Sequence, residues 1–263
     1  MRIAASIEYD GHSFFGWQRQ PEVKNVQSLI ENALSSITQS KITIYAAGRT
    51  DSGVHALGQI IHFDTNIIRP ISAWVKGVNS LLPSSIRVTW AKEVSDNFHA
   101  RYSALSREYQ YLLINNPINS ALWASYAGWN FYPLNYDLVH QACTRFIGEH
   151  DFSSFRSSEC QAASPVRDIY YFDVKQFDDN YIFIIRANGF LHHQIRNMIG
   201  AIILVGRELK APDFIDLLLT QKDRSKAPPT FMPNGLYLTN IKYDDKWGLP
   251  EAENKLKFFG KLD

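Results

Sequence analysis

The sequence predicts an α+β protein made of two tandem ferredoxin-like halves, each with antiparallel strands and helices on one side of the sheet. Three observations predict it. Apolar residues recur with period two in short runs that read as strands, and with period 3.6 in longer runs that read as helices. The order β-α-β-β-α-β is then met twice along the 263 residues. The halves are expected at 1–104 and 105–263, with the chain passing between them near residues 103–107. No low-complexity linker separates them, so an extensive interface is expected, and a cleft lies across the join if the sheets meet edge to edge.

In the first half the expected order is strand 3–9, helix 26–37, strand 42–46, strand 59–63, helix 71–82 and strand 86–94. Asn25 is an N-cap for the first helix, and Val26, Leu29, Ile30, Ala33, Leu34 and Ile37 fall on one face. The second helix has Pro70 near its start and carries Ile71, Trp74, Val75, Val78, Leu81 and Leu82 at the same spacing. The second half repeats the order as strand 109–114, helix 137–147, strand 169–177, strand 181–188, helix 191–205 and strand 236–243. A short helix at 213–219 follows Pro212, and 222–234, with Pro228, Pro229 and Pro233, reads as a loop bordering the cleft.

Composition narrows the classes. With 45% hydrophobic residues the chain can bury a sizeable core. Residues 1–8 alternate like a strand and charges interrupt every long apolar run, so neither export nor membrane insertion is expected. Two cysteines, Cys143 and Cys160, cannot build a disulfide framework, which fits a reducing cytosol. A net charge of +1 is unlike a generally basic nucleic-acid binder, so any anion-binding surface must be local. Arg19, Lys24, Arg49, Arg101, Arg107, Arg167 and Arg196 are its candidate lining. His140 and Cys143 stand three apart, yet no second compact ligand pair completes a metal site. A Walker loop and a Gly-x-Gly-x-x-Gly strand-to-helix turn are both missing, so no nucleotide cofactor is expected.

The stretch richest in chemistry is Gly48-Arg49-Thr50-Asp51-Ser52-Gly53-Val54-His55-Ala56. It lies between alternating apolar runs, so Asp51 sits on a turn between strands, where a carboxylate is held rigidly yet projects. Two readings follow from spacing alone. Asp51 is a nucleophile or general base, or it is a turn residue bonding its own backbone beside a glycine with positive φ. Arg49 can keep Asp51 ionised, hold a phosphate or fill a vacated space.

The string GRTDSGVHA resembles the signature of the tRNA pseudouridine synthases of the TruA family, with Asp51 in the place of the catalytic aspartate. The resemblance continues through Tyr9-Asp10-Gly11, Phe15-Gly16-Trp17-Gln18-Arg19-Gln20, Phe98-His99-Ala100-Arg101, Arg107-Glu108-Tyr109-Gln110-Tyr111, His192-His193-Gln194-Ile195-Arg196-Asn197 and Gly235-Leu236-Tyr237-Leu238. It covers nearly the whole chain. Glu108 departs from many relatives, which carry another charged residue there.

The resemblance implies an isomerase that turns uridine into pseudouridine in the anticodon stem-loop of tRNA, at tRNA positions 38, 39 and 40. It also implies cytoplasmic work as a homodimer gripping one tRNA, without cofactor, metal or membrane. Asp51 would be the essential carboxylate, attacking the substrate or abstracting a ribose proton. Arg49 would enter the space left by a flipped base, Tyr109 would stack on the uracil, and Arg196 would fix Asp51 through paired hydrogen bonds. Plainer alternatives are sheet packing beside Tyr111 for Tyr109 and a surface salt bridge for Arg196, while His192 and His193 either touch phosphate or serve helix-end packing or capping. Two rival functions remain at this point. One is a non-catalytic tRNA-binding or RNA-chaperoning protein of the same fold. The other is a metal-dependent phosphodiesterase using Asp10, Asp51 and Asp64.

Overall fold

The computed structural model describes residues 1–20 and 22–250. In chain order the strands are β1 (Arg2–Tyr9), β2 (Tyr45–Ala46), β3 (His55–Asp64), β4 (Ile86–Val94), β5 (Ala104–Asn115), β6 (Gly128–Asn130), β7 (Gly148–Asp151), β8 (Val166–Phe177), β9 (Asn180–Ala187) and β10 (Leu236–Tyr243). The helices are α1 (Val26–Thr38), α2 (Val78–Leu81), α3 (Tyr136–Thr144), α4 (Gln194–Gly206) and α5 (Phe214–Gln221). The fold is α+β with mostly antiparallel strand pairing, and the β-α-β-β-α-β order recurs along the chain. Compact packing divides it into one unit of residues 1–106 with the chain from Tyr237 onward, and a second unit, Arg107–Leu236.

In the first unit β1 lies between β3 and β4, antiparallel to both. The other edge of β3 is shared: β2 pairs at Ile61 and His62, and β10 pairs in parallel at His55 and Ala56. Residues 236–243, read from sequence as closing the second half, thus lie almost wholly in the first unit, whose first segment ends at Ser106 rather than at 104. Which edge a terminal strand joins depends on what is near it in space, and alternation carries no such information.

Helix α1 begins where Asn25 accepts a hydrogen bond from Ser28 N at 2.9 Å, and it buries Val26, Ile30, Ala33 and Leu34. Glu31 on the same helix is buried and accepts from Arg19, Gln27 and the backbone N–H of Ile44, at 3.0, 3.1 and 3.1 Å. Ile42 N likewise donates to Ser35 Oγ at 3.0 Å. The expected strand 42–46 therefore shrinks to Tyr45–Ala46, because helix side chains take the backbone donors that a neighbouring strand would have used. The expected helix 71–82 is a π-helical turn, Ala73–Gly77, running into α2, and it still buries Trp74 and Val78. Trp74 meets Phe63 edge-on with ring centres 5.5 Å apart.

In the second unit β9 lies between β5 and β8, and β7 extends the sheet beyond β8. Neither β6 nor the polar β7 has an apolar alternation to betray it. Helix α3 stops at Thr144, where Phe146 N and Ile147 N bond the carbonyls three residues back and Gly148, at φ +102°, turns the chain into β7. Phe146, Phe152, Phe155, Phe172 and Phe183 are fully buried and form the aromatic centre of this core. Helix α4 starts at Gln194 rather than 191, because His193 takes a left-handed backbone (φ 64°) and Gln194 Oε1 accepts from Leu191 N at 2.8 Å.

Candidate active site

The Asp51 segment is fixed from both sides. Before it, Gln59, fully buried on β3, uses both ends of its amide on one residue: Nε2 donates to Gly48 O at 2.7 Å and Oε1 accepts from Gly48 N at 3.4 Å. Thr50 is buried, its hydroxyl 2.7 Å from the Tyr9 hydroxyl and its carbonyl accepting from Trp17 N at 3.1 Å. After it, the Asp51 carbonyl accepts from Val54 N at 3.2 Å, closing a four-residue turn whose third member, Gly53, has φ +79°. The turn is thus closed by main chain, and Asp51 itself is half-exposed. A carboxylate presented on a loop with so many fixed neighbours needs little reorganisation to act.

Two glycines let the loop come this close. A Cβ on Gly11 would lie 2.0 Å from Val54 O, and one on Gly16 would lie 2.9 Å from Thr50 O, with Gly16 also at φ +84°. The Tyr9-Asp10-Gly11 and Phe15-Gly16-Trp17 strings therefore form the bed on which the Asp51 loop rests. His55, buried at the start of β3, accepts from Gly11 N at Nδ1 (3.1 Å) and stacks on Tyr237 with ring centres 4.7 Å apart. Asp10 Oδ1 lies 3.2 Å from the same nitrogen and accepts from His12 N at 3.0 Å. Arg49 stands exposed beside this framework.

In the second unit Tyr109 is on β5 opposite Ile185, 7% exposed, with its ring edge-on to Phe190 at 5.2 Å. Two residues on, Tyr111 is fully buried and donates its hydroxyl to Met232 O at 2.9 Å. Burial pushes the Tyr111 phenol well above its ordinary value, and the nearby positive charge of Arg196 works in the opposite direction. Arg196 is half-buried on α4, with Nε donating to Phe231 O at 2.8 Å. The loop carrying Phe231 is pinned by Arg224, which bonds the carbonyls of Ala227 and Pro228 and the side chains of Asn197 and Thr230. Gly200 on α4 leaves room for this loop, since a Cβ there would lie 3.0 Å from Pro229 O. Arg196 is thereby brought beside Tyr111 and Phe231, and Tyr109 beside Phe190.

A family profile described as tRNA pseudouridine synthase matches residues 5–103 and 142–244. The chain belongs to the tRNA pseudouridine synthase family. It is accordingly an isomerase, a pseudouridine synthase. It is similar to a tRNA pseudouridine synthase A of Methylobacillus flagellatus, 50% identical over 98% of this chain and 98% of the relative. A protein of the same description from Nitrosomonas eutropha is 48% identical over 95% of this chain and 90% of its own length. The corresponding protein of Chromobacterium violaceum is 49% identical, covering 95% and 96%.

For a pseudouridine synthase of such small net charge, the use made of each cation matters. Arg19 is tied to Glu31 at 3.0 Å, Arg107 donates to Asn188 O at 3.0 Å, and Arg167 donates to Ser164 O at 2.9 Å. Lys24 lies over the Phe14 ring at 5.2 Å and Arg101 lies 5.5 Å from the centre of the Tyr102 ring. Much of the expected basic lining of this synthase therefore also holds its own loops. Gln59 and Thr50, which clamp the Asp51 loop, have no role assigned to them from the sequence. Gln59 had a signal, since it is an amide inside the apolar run of β3, whereas Thr50 had none apart from its place beside Asp51.

Proposed function

We propose that the protein converts uridine to pseudouridine in the anticodon stem-loop of tRNA, at tRNA positions 38, 39 and 40, with Asp51 as the catalytic carboxylate. The observation that carries this reading is the clamped loop. Gly48, Thr50 and Val54 are fixed by buried or main-chain bonds while Asp51 stays half-exposed. The reaction breaks the bond between ribose C1′ and N1, turns the base and joins C1′ to C5. Reactant and product are isomers, so the change consumes no oxidant and no acceptor. Asp51 serves as nucleophile toward the substrate or as base toward a ribose proton, and the enclosed site retains the detached uracil.

The target base must leave its stack, at a cost of roughly a few kcal/mol. In this reading Arg49, exposed beside Asp51, fills the space left behind, and Tyr109 stacks on the uracil. Base stacking on an aromatic ring contributes about 1–3 kcal/mol, comparable with the cost of flipping. In the same reading Arg196, whose Nε donates to Phe231 O, has the role of fixing the Asp51 carboxylate. The family name supplies tRNA as substrate, and the reading extends it to a cytoplasmic homodimer. Among the described residues no helix is long and apolar enough to cross a membrane.

The test is to incubate purified protein with transcribed tRNA, without added cofactor, and to map pseudouridine by position. The parent is expected to modify positions 38–40. Asp51→Asn is expected to keep its fold and tRNA affinity and to form no product, because the amide can be neither nucleophile nor base. Folded parent protein that binds tRNA and leaves it unmodified would favour the non-catalytic RNA-binding alternative.

A further inference from the structure

We propose that Tyr45, His99 and Tyr102, with Arg101 over the Tyr102 ring, form a shelf of rings on which unpaired bases of the tRNA stack as a second contact apart from the Asp51 loop. The inference rests on tRNA being the substrate. The shelf belongs to the far end of β3, where Tyr45 pairs with His62. His62 is seven residues beyond His55, or roughly 23 Å along a strand that rises about 3.3 Å per residue.

The rings are contiguous and open. Tyr45 stacks one face on His62, with centres 5.0 Å apart and planes 18° from parallel, yet it remains 50% exposed. His99 lies 5.6 Å from Tyr45 and 4.4 Å from Tyr102, and Tyr102 is 77% exposed. Tyr45 on β2 and Tyr102 on the loop after β4 thus leave aromatic surface accessible to a partner. Arg101 brings a positive charge over the Tyr102 ring, its Cζ 5.5 Å from the ring centre. Exposed rings with a guanidinium over one of them suit a nucleobase and its phosphate.

The backing is rigid. His62 Nδ1 accepts from Ala100 N at 3.1 Å, and His99 Nδ1 accepts from Arg101 N and Tyr102 N at 3.1 and 3.3 Å. Tyr243 donates to Ala100 O at 2.6 Å and Arg2 to Phe98 O at 2.8 Å. Both imidazoles therefore work as neutral acceptors, and the loop that presents the rings is fixed before any ligand arrives. Such preorganisation lowers the ordering cost of binding.

The experiment measures tRNA binding by the full chain at one fixed salt concentration. It compares parent, Tyr45→Ala/Tyr102→Ala and Tyr45→Phe/Tyr102→Phe, with a blunt RNA duplex of similar length as second probe. Loss of both stacking faces is expected to raise Kd for tRNA about tenfold or more, leave Kd for the duplex unchanged, and alter kcat at saturating tRNA by less than about twofold. The Phe pair, which folds with the same rings, is expected to bind like the parent. Equal tRNA affinity of the folded Ala pair overturns the proposal, as does an equal loss on the duplex. A change in solution mass without a change in Kd also overturns it, assigning the rings to a protein interface. Normal turnover with ring-independent Kd removes the shelf alone. Ring-dependent tRNA binding by a protein that makes no pseudouridine removes the catalytic reading and keeps the shelf.

Discussion

The hydroxyls of Tyr9 and Thr50 meet at 2.7 Å out of contact with solvent, so β1 is bonded directly to the residue that precedes Asp51. Removing one partner leaves the other hydroxyl buried without its mate. Tyr9→Phe is expected to destabilise the fold by about 0.5–1.5 kcal/mol in a urea titration. It is also expected to slow single turnover more than it weakens tRNA binding, because the loop loses one of its fixing points. Parental turnover in the variant would reduce the bond to a stabilising contact only.

Gly11 tests whether close approach of backbone underlies the loop. An alanine Cβ would stand 2.0 Å from the carbonyl oxygen of Val54, and the obstacle is main chain, which cannot rotate away. Gly11→Ala is expected to cost about 1–3 kcal/mol or more of stability and to abolish most activity. Thermal unfolding and product formation measured on the same sample check both parts. A stable, active Gly11→Ala protein would show that the loop adapts freely.

Tyr109 separates stacking from sheet packing. As a platform it should tolerate Tyr109→Phe in tRNA binding, with turnover reduced if its hydroxyl touches the uracil, whereas Tyr109→Leu should slow turnover more severely. If Leu is no worse than Phe at saturating tRNA, the ring serves the sheet beside Phe190 and the platform role is sunk.

His62 gives the fold a pH dependence of definite sign. Burial, together with the positive charge of Arg2 and the neighbouring His99, lowers its value from 6.5 to about 4, with Asp64 opposing weakly. The unfolded chain then takes up a proton that the folded chain refuses. The stability that neutral His62 provides is intact above about pH 6.5, and it declines as pH falls toward 4. Urea midpoints from pH 7 to pH 4 should fall, and His62→Asn should be less stable at pH 7 but flatter across that window. An equal slope in both proteins would place the titration elsewhere.

Some of this was legible locally. Helix α1 is read from Asn25 and a 3.6-residue apolar period, and β4 from alternation over residues 86–94, because capping and amphipathicity are properties of a short window. The doubled order of elements is a repetition of such windows. The Asp51 string stood out by its residues, but spacing alone did not choose between a turn and a catalytic loop, and the proposal of a catalytic loop rests on resemblance to a family.

What the sequence by itself determined, then, is most of the segments that are helix or strand and which residues are chemically equipped. Tertiary structure decided their partners. Residues 42–44 are not strand because Ser35 and Glu31 take their N–H groups. β7 exists only because β8 lies beside it, and β10 pairs with the start of β3 instead of being confined to the second half. Gly11 and Gly16 look like ordinary turn glycines until the Asp51 loop is laid against them, and His62 looks like a strand histidine until Ala100 N points at its ring. The physical reason is the same in each case. A backbone donor or a close approach is satisfied by whichever group folding brings near, and that group lies outside the short window that local sequence pattern describes.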